Sequence, residues 1–290
     1  MRRLMALLAA ISLVLVSCSS SGDSTNEVVS VVATTTILGD VVRAVVGDDG
    51  TVEVLLPPQA DPHDYQPSSR QIAAMTTADL VVANGLGLEE GLDDVLEGTS
   101  AMLVGEQLDP RTVGDSFDPH VWLDPIRMGQ AAMLIAERLG EIDSSIDWAS
   151  RAEAYAATME STDAEIRRIA DMVPEDRRNL VSSHDALGYF AERYGFTVVG
   201  TLRPGGSTHD EPSSAHLAEL VGVMAAEGAT AIFIEMDENP ALAETVAAEF
   251  DGAVTVVELF VGSLGVEGSG AETLSEMLVT NAERIVTALS

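Results

Sequence analysis

Three of the chain's five histidines sit in matching acidic settings: Asp61-Pro62-His63-Asp64, Asp118-Pro119-His120-Val121-Trp122-Leu123-Asp124-Pro125 and Ser182-Ser183-His184-Asp185. Imidazole nitrogen and carboxylate oxygen are the donors that hold borderline ions such as Zn²⁺. Ligands scattered this widely cannot form a finger-like local site. They meet only if a large fold brings distant loops together, which points to a cleft built by two lobes. Taken singly, a loop histidine is more often a surface or hydrogen-bonded residue than a ligand. The shared setting and the scarcity of other histidines move the balance towards metal. Asp61, Asp118 and Asp185 are each available to accept the second ring N–H and fix a tautomer, as metal sites require. They could equally be caps or solvated loop charges. His209 and His216 fall near or in a predicted acidic helix start, and surface roles are expected for both.

The elements that must position these rings follow from the hydrophobic pattern. Short β-branched runs alternate with helical patterns, the signature of parallel α/β architecture. In the first half, 28–32, 52–55, 80–83 and 102–104 read as buried strands, with helices over 37–46, 68–76 and 89–96. In the second half, strands fall at 180–182, 197–200, 231–234 and 254–257, and helices at 186–194, 213–227, 240–250 and 271–289. Helical periodicity with few breakers runs from 144 to 172 and ends at Pro174. At 1.5 Å per residue that is about 43 Å, read as the single connection between lobes. The expected organisation is a lobe over 28–143, a connecting helix over 144–173 and a second lobe over 174–290. In open parallel sheets the loops after the C-terminal strand ends line the binding crevice, and His63 and His184 both fall in such loops. His120 precedes a helix start, with Asp124 available as its N-cap.

Residues 1–18 read as a secretory signal: Arg2 and Arg3, an apolar run too short to span a bilayer comfortably, then Leu15-Val16-Ser17-Cys18. Cys18 is the only cysteine, so the mature chain has no internal disulfide. An apolar residue, a small residue and Cys in this place resemble the bacterial lipobox. That resemblance implies cleavage before Cys18 and a lipid on its sulfur, with 19–27 as a polar tether; the plainer reading is an ordinary signal with an incidental cysteine. The formal charge is −32, and every basic residue is arginine. Such a balance excludes nucleic acid as a partner and disfavours adhesion to anionic headgroups, leaving the lipid to do the anchoring. An acidic field raises local cation concentration, although salt screens it over roughly 8–10 Å.

Other motifs fail. Gly85-Leu86-Gly87 begins like a dinucleotide loop, but Glu90 stands where the third glycine belongs. Ser183-His184-Asp185 holds triad residue types, yet adjacent positions cannot form a relay, and no Gly-x-Ser-x-Gly elbow exists. There is no Walker-type loop, so any ATPase partner is another chain.

Together these segments resemble the zinc/manganese solute-binding proteins of bacterial ABC transporters. The resemblance covers nearly the whole mature chain. It includes Val32-Ala33-Thr34-Thr35-Thr36-Ile37, the His63 and His120 segments, Ala83-Asn84-Gly85-Leu86-Gly87-Leu88-Glu89 and His184-Asp185-Ala186-Leu187-Gly188-Tyr189-Phe190, with Ser207-Thr208, Glu211-Pro212-Ser213 and Ala241-Leu242-Ala243-Glu244-Thr245. It implies two α/β lobes joined by a rigid backbone helix, with the metal between them on His63, His120 and His184. The chain departs from the pattern at Leu259-Phe260-Val261-Gly262-Ser263-Leu264-Gly265, where Gly262 stands in place of the family's acidic ligand. Glu235 is the expected fourth ligand, being at a strand end whose strand neighbours that of His184; Glu258 or a water are the substitutes. The His-rich insertion of many zinc-dedicated relatives is missing. Three imidazoles nevertheless favour Zn²⁺ over Mn²⁺.

The expected function is therefore capture of a divalent transition metal outside the membrane and delivery to an ABC permease with its ATPase, by a monomer and without catalysis. Two rivals share the same histidines: a secreted zinc hydrolase and a metal-dependent surface adhesin. Against the hydrolase stand the missing His-Glu-x-x-His helix and the lack of a carboxylate placed as general base.

Overall fold

A computed structural model describes residues 28–290 except 115, 237 and 252. The signal, the tether and Cys18 lie outside the described residues. The chain opens with β1 (Val29–Ala33), α1 (Thr36–Val46), β2 (Gly50–Val54), α2 (Ser69–Thr77), β3 (Leu80–Ala83), α3 (Asp93–Glu97) and β4 (Met102–Leu103). These strands form a sheet in the order β2-β1-β3-β4, parallel throughout. Continuous apolar runs suit this arrangement because helices cover both faces of a parallel sheet. β3 is buried at every position. After a short hairpin, β5 (Thr112–Val113) with β6 (Ser116–Phe117), come α4 (Pro125–Ile142) and α5 (Trp148–Ala170).

The second half repeats the scheme with β7 (Asn179–Ser182), α6 (Gly188–Tyr194), β8 (Thr197–Thr201), α7 (Ser214–Glu227), β9 (Ala231–Glu235), α8 (Ala241–Ala248), β10 (Thr255–Leu259) and α9 (Leu274–Leu289). Its parallel sheet runs β10-β9-β7-β8. In each sheet the first strand lies inside, the chain steps outward to the second, then returns to the first strand's other side. Connections diverge at that switch, and a crevice opens beyond the carboxyl ends of the strands. The α/β fold of two parallel sheets flanked by helices is thus the one expected from the hydrophobic pattern.

The connection differs in length from the expected helix over 144–173. α5 has 23 residues, or about 34 Å at 1.5 Å per residue. The expected first turn is instead a reversal between α4 and α5. Asp143 accepts the backbone N–H of Ser145 at 2.8 Å, and Asp147 caps α5 through the N–H of Ser150 at 3.1 Å. Short acidic side chains that bond nearby backbone compete with helix, which is why a periodic pattern here does not propagate. α4 and α5 then pack closely at Gly129, where an added Cβ would come within 3.2 Å of the Ala156 Cα. α5 also packs against α1 and α9, helices from the two different sheets. One apolar cluster spans both sheets, from Val31 and Ile37 through Met128 and Met159 to Phe233 and Leu278, with smaller clusters on the other face of each sheet.

The helix expected over 89–96 is a 3-10 turn, Glu90–Leu92, followed by α3. Glu89 is buried instead of opening a helix. It accepts hydrogen bonds from the Thr34 hydroxyl (2.7 Å) and the N–H groups of Asn84 (2.8 Å) and Gly85 (2.9 Å), tying together the ends of β1 and β3. Burial pushes its carboxyl above the ordinary value despite these donors.

Candidate metal centre

The three histidines meet. His63 lies in the loop after β2, His120 follows β6 just ahead of α4, and His184 follows β7. All three are buried, and one nitrogen from each falls within 4.8 Å of the others. Ring centroids are 5.7 Å apart for His63–His120 and for His63–His184, and 5.0 Å for His120–His184. Two of the rings belong to the first half of the chain and one to the second.

Each ring is held differently. His120 Nδ1 is 2.8 Å from Asp118 Oδ1, which also accepts the His120 backbone N–H at 3.0 Å. The second oxygen of Asp118 takes a 2.6 Å bond from Arg111 Nη1, and Arg111 Nε reaches Glu192 on α6 at 3.1 Å. Burial acts to raise the pKa of Asp118, but its bonds to His120 and the charge of Arg111 outweigh it and hold the carboxyl below the ordinary value. Asp124 caps α4 as expected, accepting the N–H groups of Ile126 and Arg127 at 2.9 and 3.4 Å.

His184 turns Nε2 towards Nε2 of His120, 3.1 Å away. Its outer nitrogen, Nδ1, lies 3.2 Å from Glu235 Oε1 and 3.5 Å from the Ser183 hydroxyl. The adjacent Asp185 is not the ring's acceptor. Burial, and then repulsion from His120 and His63, pull the pKa of His184 well below 6.5. The same two causes, burial first and His120 next, bring His63 down to about 4. Both ring nitrogens of His63 are buried without a hydrogen-bond partner among the described residues, and Asp61 accepts the His63 backbone N–H rather than a ring proton.

Neither Glu235 nor Glu258, the carboxylates expected as the fourth ligand, belongs to the group of atoms within 4.8 Å of one another that the three rings form. β9 does neighbour β7, so Glu235 reaches His184, but it meets the outer nitrogen. Its other oxygen accepts the Gly262 N–H at 3.2 Å. The approach is close: a Cβ at Gly262 would come within 3.2 Å of that oxygen and 3.0 Å of Pro62 Cδ. Glu258 is exposed on β10. His216 bonds the Thr201 carbonyl at 2.8 Å, and His209 is half-exposed at the cleft mouth. Sequence reasoning missed Arg111, which carries no motif and acts only through tertiary contacts. It also missed Trp122, packed 5.3 Å from His120 with its indole N–H donating to the Val261 carbonyl at 2.9 Å.

Two parallel-sheet lobes with three buried imidazoles converging between them define a class of cleft-type binding protein. The chain belongs to the ZnuA family, described as zinc-uptake complex component A, periplasmic, which matches residues 31–288. It is 31% identical over 290 residues to the manganese-binding lipoprotein MntA of Halalkalibacterium halodurans, covering 97% of this chain and 96% of that protein. It is 32% identical over 274 residues to the zinc-binding protein TroA of Treponema pallidum, with 90% and 88% covered. The solved structure of the periplasmic zinc binding protein TroA from Treponema pallidum resembles this one with a TM-score of 0.83 at 31% identity, covering 90% of this chain and 99% of that one.

Proposed function

We propose that the protein captures one divalent transition metal ion outside the cytoplasmic membrane and delivers it to an ABC permease and its ATPase, with His63, His120 and His184 as ligands. The ion is cargo. One observation carries the reading: Nε2 of His120 and Nε2 of His184 face each other at 3.1 Å while carboxylates stand at both outer nitrogens. With Asp118 accepting the Nδ1 proton of His120 and the Glu235 carboxylate beside Nδ1 of His184, both inner nitrogens point lone pairs at one another. Neutral rings so arranged repel; a cation between them turns the repulsion into coordination. His63 supplies a third nitrogen with no competing partner. Its depressed pKa keeps it neutral, and therefore able to ligate, at physiological pH.

Water takes the fourth position, since Glu235 is committed to His184 and Gly262 has no side chain. Three imidazoles and a water favour Zn²⁺, with Mn²⁺ second. Names of relatives point both ways, TroA being called zinc-binding and MntA manganese-binding. The carboxylates nearest the rings, Asp118 and Glu235, both serve outer nitrogens and neither is free to act as a base, which favours capture over hydrolysis. Lipidation of Cys18 would anchor the monomer to the outer face of the membrane; the relative MntA is named a lipoprotein. Docking on the permease releases the ion by a small rocking of the lobes that stretches coordination shared between them.

Native mass spectrometry with elemental analysis of protein titrated with Zn²⁺ and with Mn²⁺ tests this. One tight equivalent, lost in His120→Ala and in His184→Ala, is expected. Several weak equivalents indifferent to those changes would overturn it, as adventitious binding to the acidic surface.

A further inference from the structure

Among the three rings, only His63 has no side-chain acceptor among the described residues: His120 leans on Asp118 and His184 lies beside Glu235, whereas both nitrogens of His63 are without a partner there. Something else must fix its aim. The backbone of His63 is gripped on both sides, and the other lobe takes part in each grip, directly through His209 and by way of Asp61 through Thr208. Asp61 Oδ1 accepts the His63 N–H at 2.9 Å, and Asp61 Oδ2 takes the Thr208 hydroxyl at 2.6 Å. On the far side of the residue, His209 Nε2 lies 3.2 Å from the His63 carbonyl, donating to it, and 3.7 Å from Asp64. Thr208 and His209 belong to the segment between β8 and α7. With Asp61 they line a cavity of about 250 Å³ at the cleft mouth, also bounded by Asp64, Arg203 and Glu238. The lobes are fused by apolar packing around α5, but at the mouth they meet through polar bonds beside solvent.

We propose that Thr208 and His209 are positioning residues that clamp His63 across the cleft and set how long the ion stays bound. This rests on the three-histidine reading above. When Thr208 and His209 withdraw, His63 loses its aim first, while His120 and His184 keep their carboxylates, because the backbone bonds that tie 202–205 to 182–185 stay in place. The ion then passes through a weaker two-imidazole state on its way out, so the clamp is the point at which a docked permease gains most by pulling.

The test is the rate of Zn²⁺ release from the loaded full chain, followed by chelator competition in a stopped-flow instrument. Thr208→Val and His209→Ala should each speed release about fivefold, the effect of losing one hydrogen bond, and together by more. Thr208→Ser keeps the hydroxyl and should restore the wild-type rate. Stoichiometry should stay at one, and the metal-free melting temperature should fall by no more than the few degrees that one hydrogen bond costs. Wild-type release in the double variant would overturn the clamp. So would acceleration that Thr208→Ser shares with Thr208→Val, or that comes with a drop in the metal-free melting temperature well beyond the few degrees of one hydrogen bond, since either marks general loosening. Should Thr208→Val fail to fold, His209→Ala carries the same readout alone. Failure of the underlying reading looks different: tight binding would then be absent from the wild type or survive His120→Ala.

Discussion

Asp118 receives two hydrogen bonds from His120, one from the ring and one from the backbone, and an ion pair from Arg111. Removing its charge while keeping its shape isolates what it does for the ring. Asp118→Asn and Glu235→Gln are each expected to weaken Zn²⁺ binding about 10–100-fold with one equivalent retained, measured by competition titration. The pKa of His63 carries a second consequence. Unfolded, the ring protonates as pH falls through 6.5; folded, it resists until about 4, and His184 shifts the same way. Stability of the metal-free protein from these rings is therefore complete above pH 6.5 and lost progressively as pH falls towards 4. Urea midpoints should be lower at pH 5 than at pH 7.5, with a smaller difference in His63→Gln. The rings were legible in the sequence because rare histidines beside carboxylates at strand ends make a local signature. The clamp from Thr208 was not, since a threonine in a loop gains meaning only from the carboxylate facing it.

At the level of elements, the parallel strands announced themselves as apolar runs, and their ends differ from expectation by a residue or two. The long helix is the instructive departure. Periodicity continues from 144, but Asp143 and Asp147 bond Ser145 and Ser150 and turn the chain, so α5 begins only at Trp148. Side-chain competition for backbone donors leaves no trace in a hydrophobic period. What the turn creates is the α4–α5 pair, whose closest approach is Gly129 against Ala156. Gly129→Val would wedge these helices apart at a cost of about 1–3 kcal/mol, read as a lower urea midpoint at unchanged slope. Because α5 also touches α1 and α9, the variant should weaken metal retention too, by tilting the lobes.

For the molecule as a whole, the shared apolar cluster matters more than the separateness of the sheets. Val31 and Phe233 lie in different sheets yet belong to one continuous interior. A wide hinge motion would have to expose that interior to water. Small-angle scattering should accordingly find radii of gyration for metal-free and loaded protein within about 1 Å of each other, in the range of rocking rather than hinge closure. A larger change would mean that the lobes separate around α5. Charge belongs to this scale as well: with −32 overall, arriving cations are concentrated near the mouth at low salt, while the buried coordination itself is little screened.

The indole of Trp122 rests against His120 and is tied to the opposite lobe through Val261, whereas Trp148, the only other tryptophan, is fastened to the Asp143 carbonyl at the start of α5. The protein thereby contains its own optical gauge. Emission from Trp122 should change on loading as a charged ion arrives beside its neighbour, against a steady background from Trp148, and Trp122→Phe should silence the response. Cargo occupancy can then be followed in the unlabelled protein, in real time, by light alone.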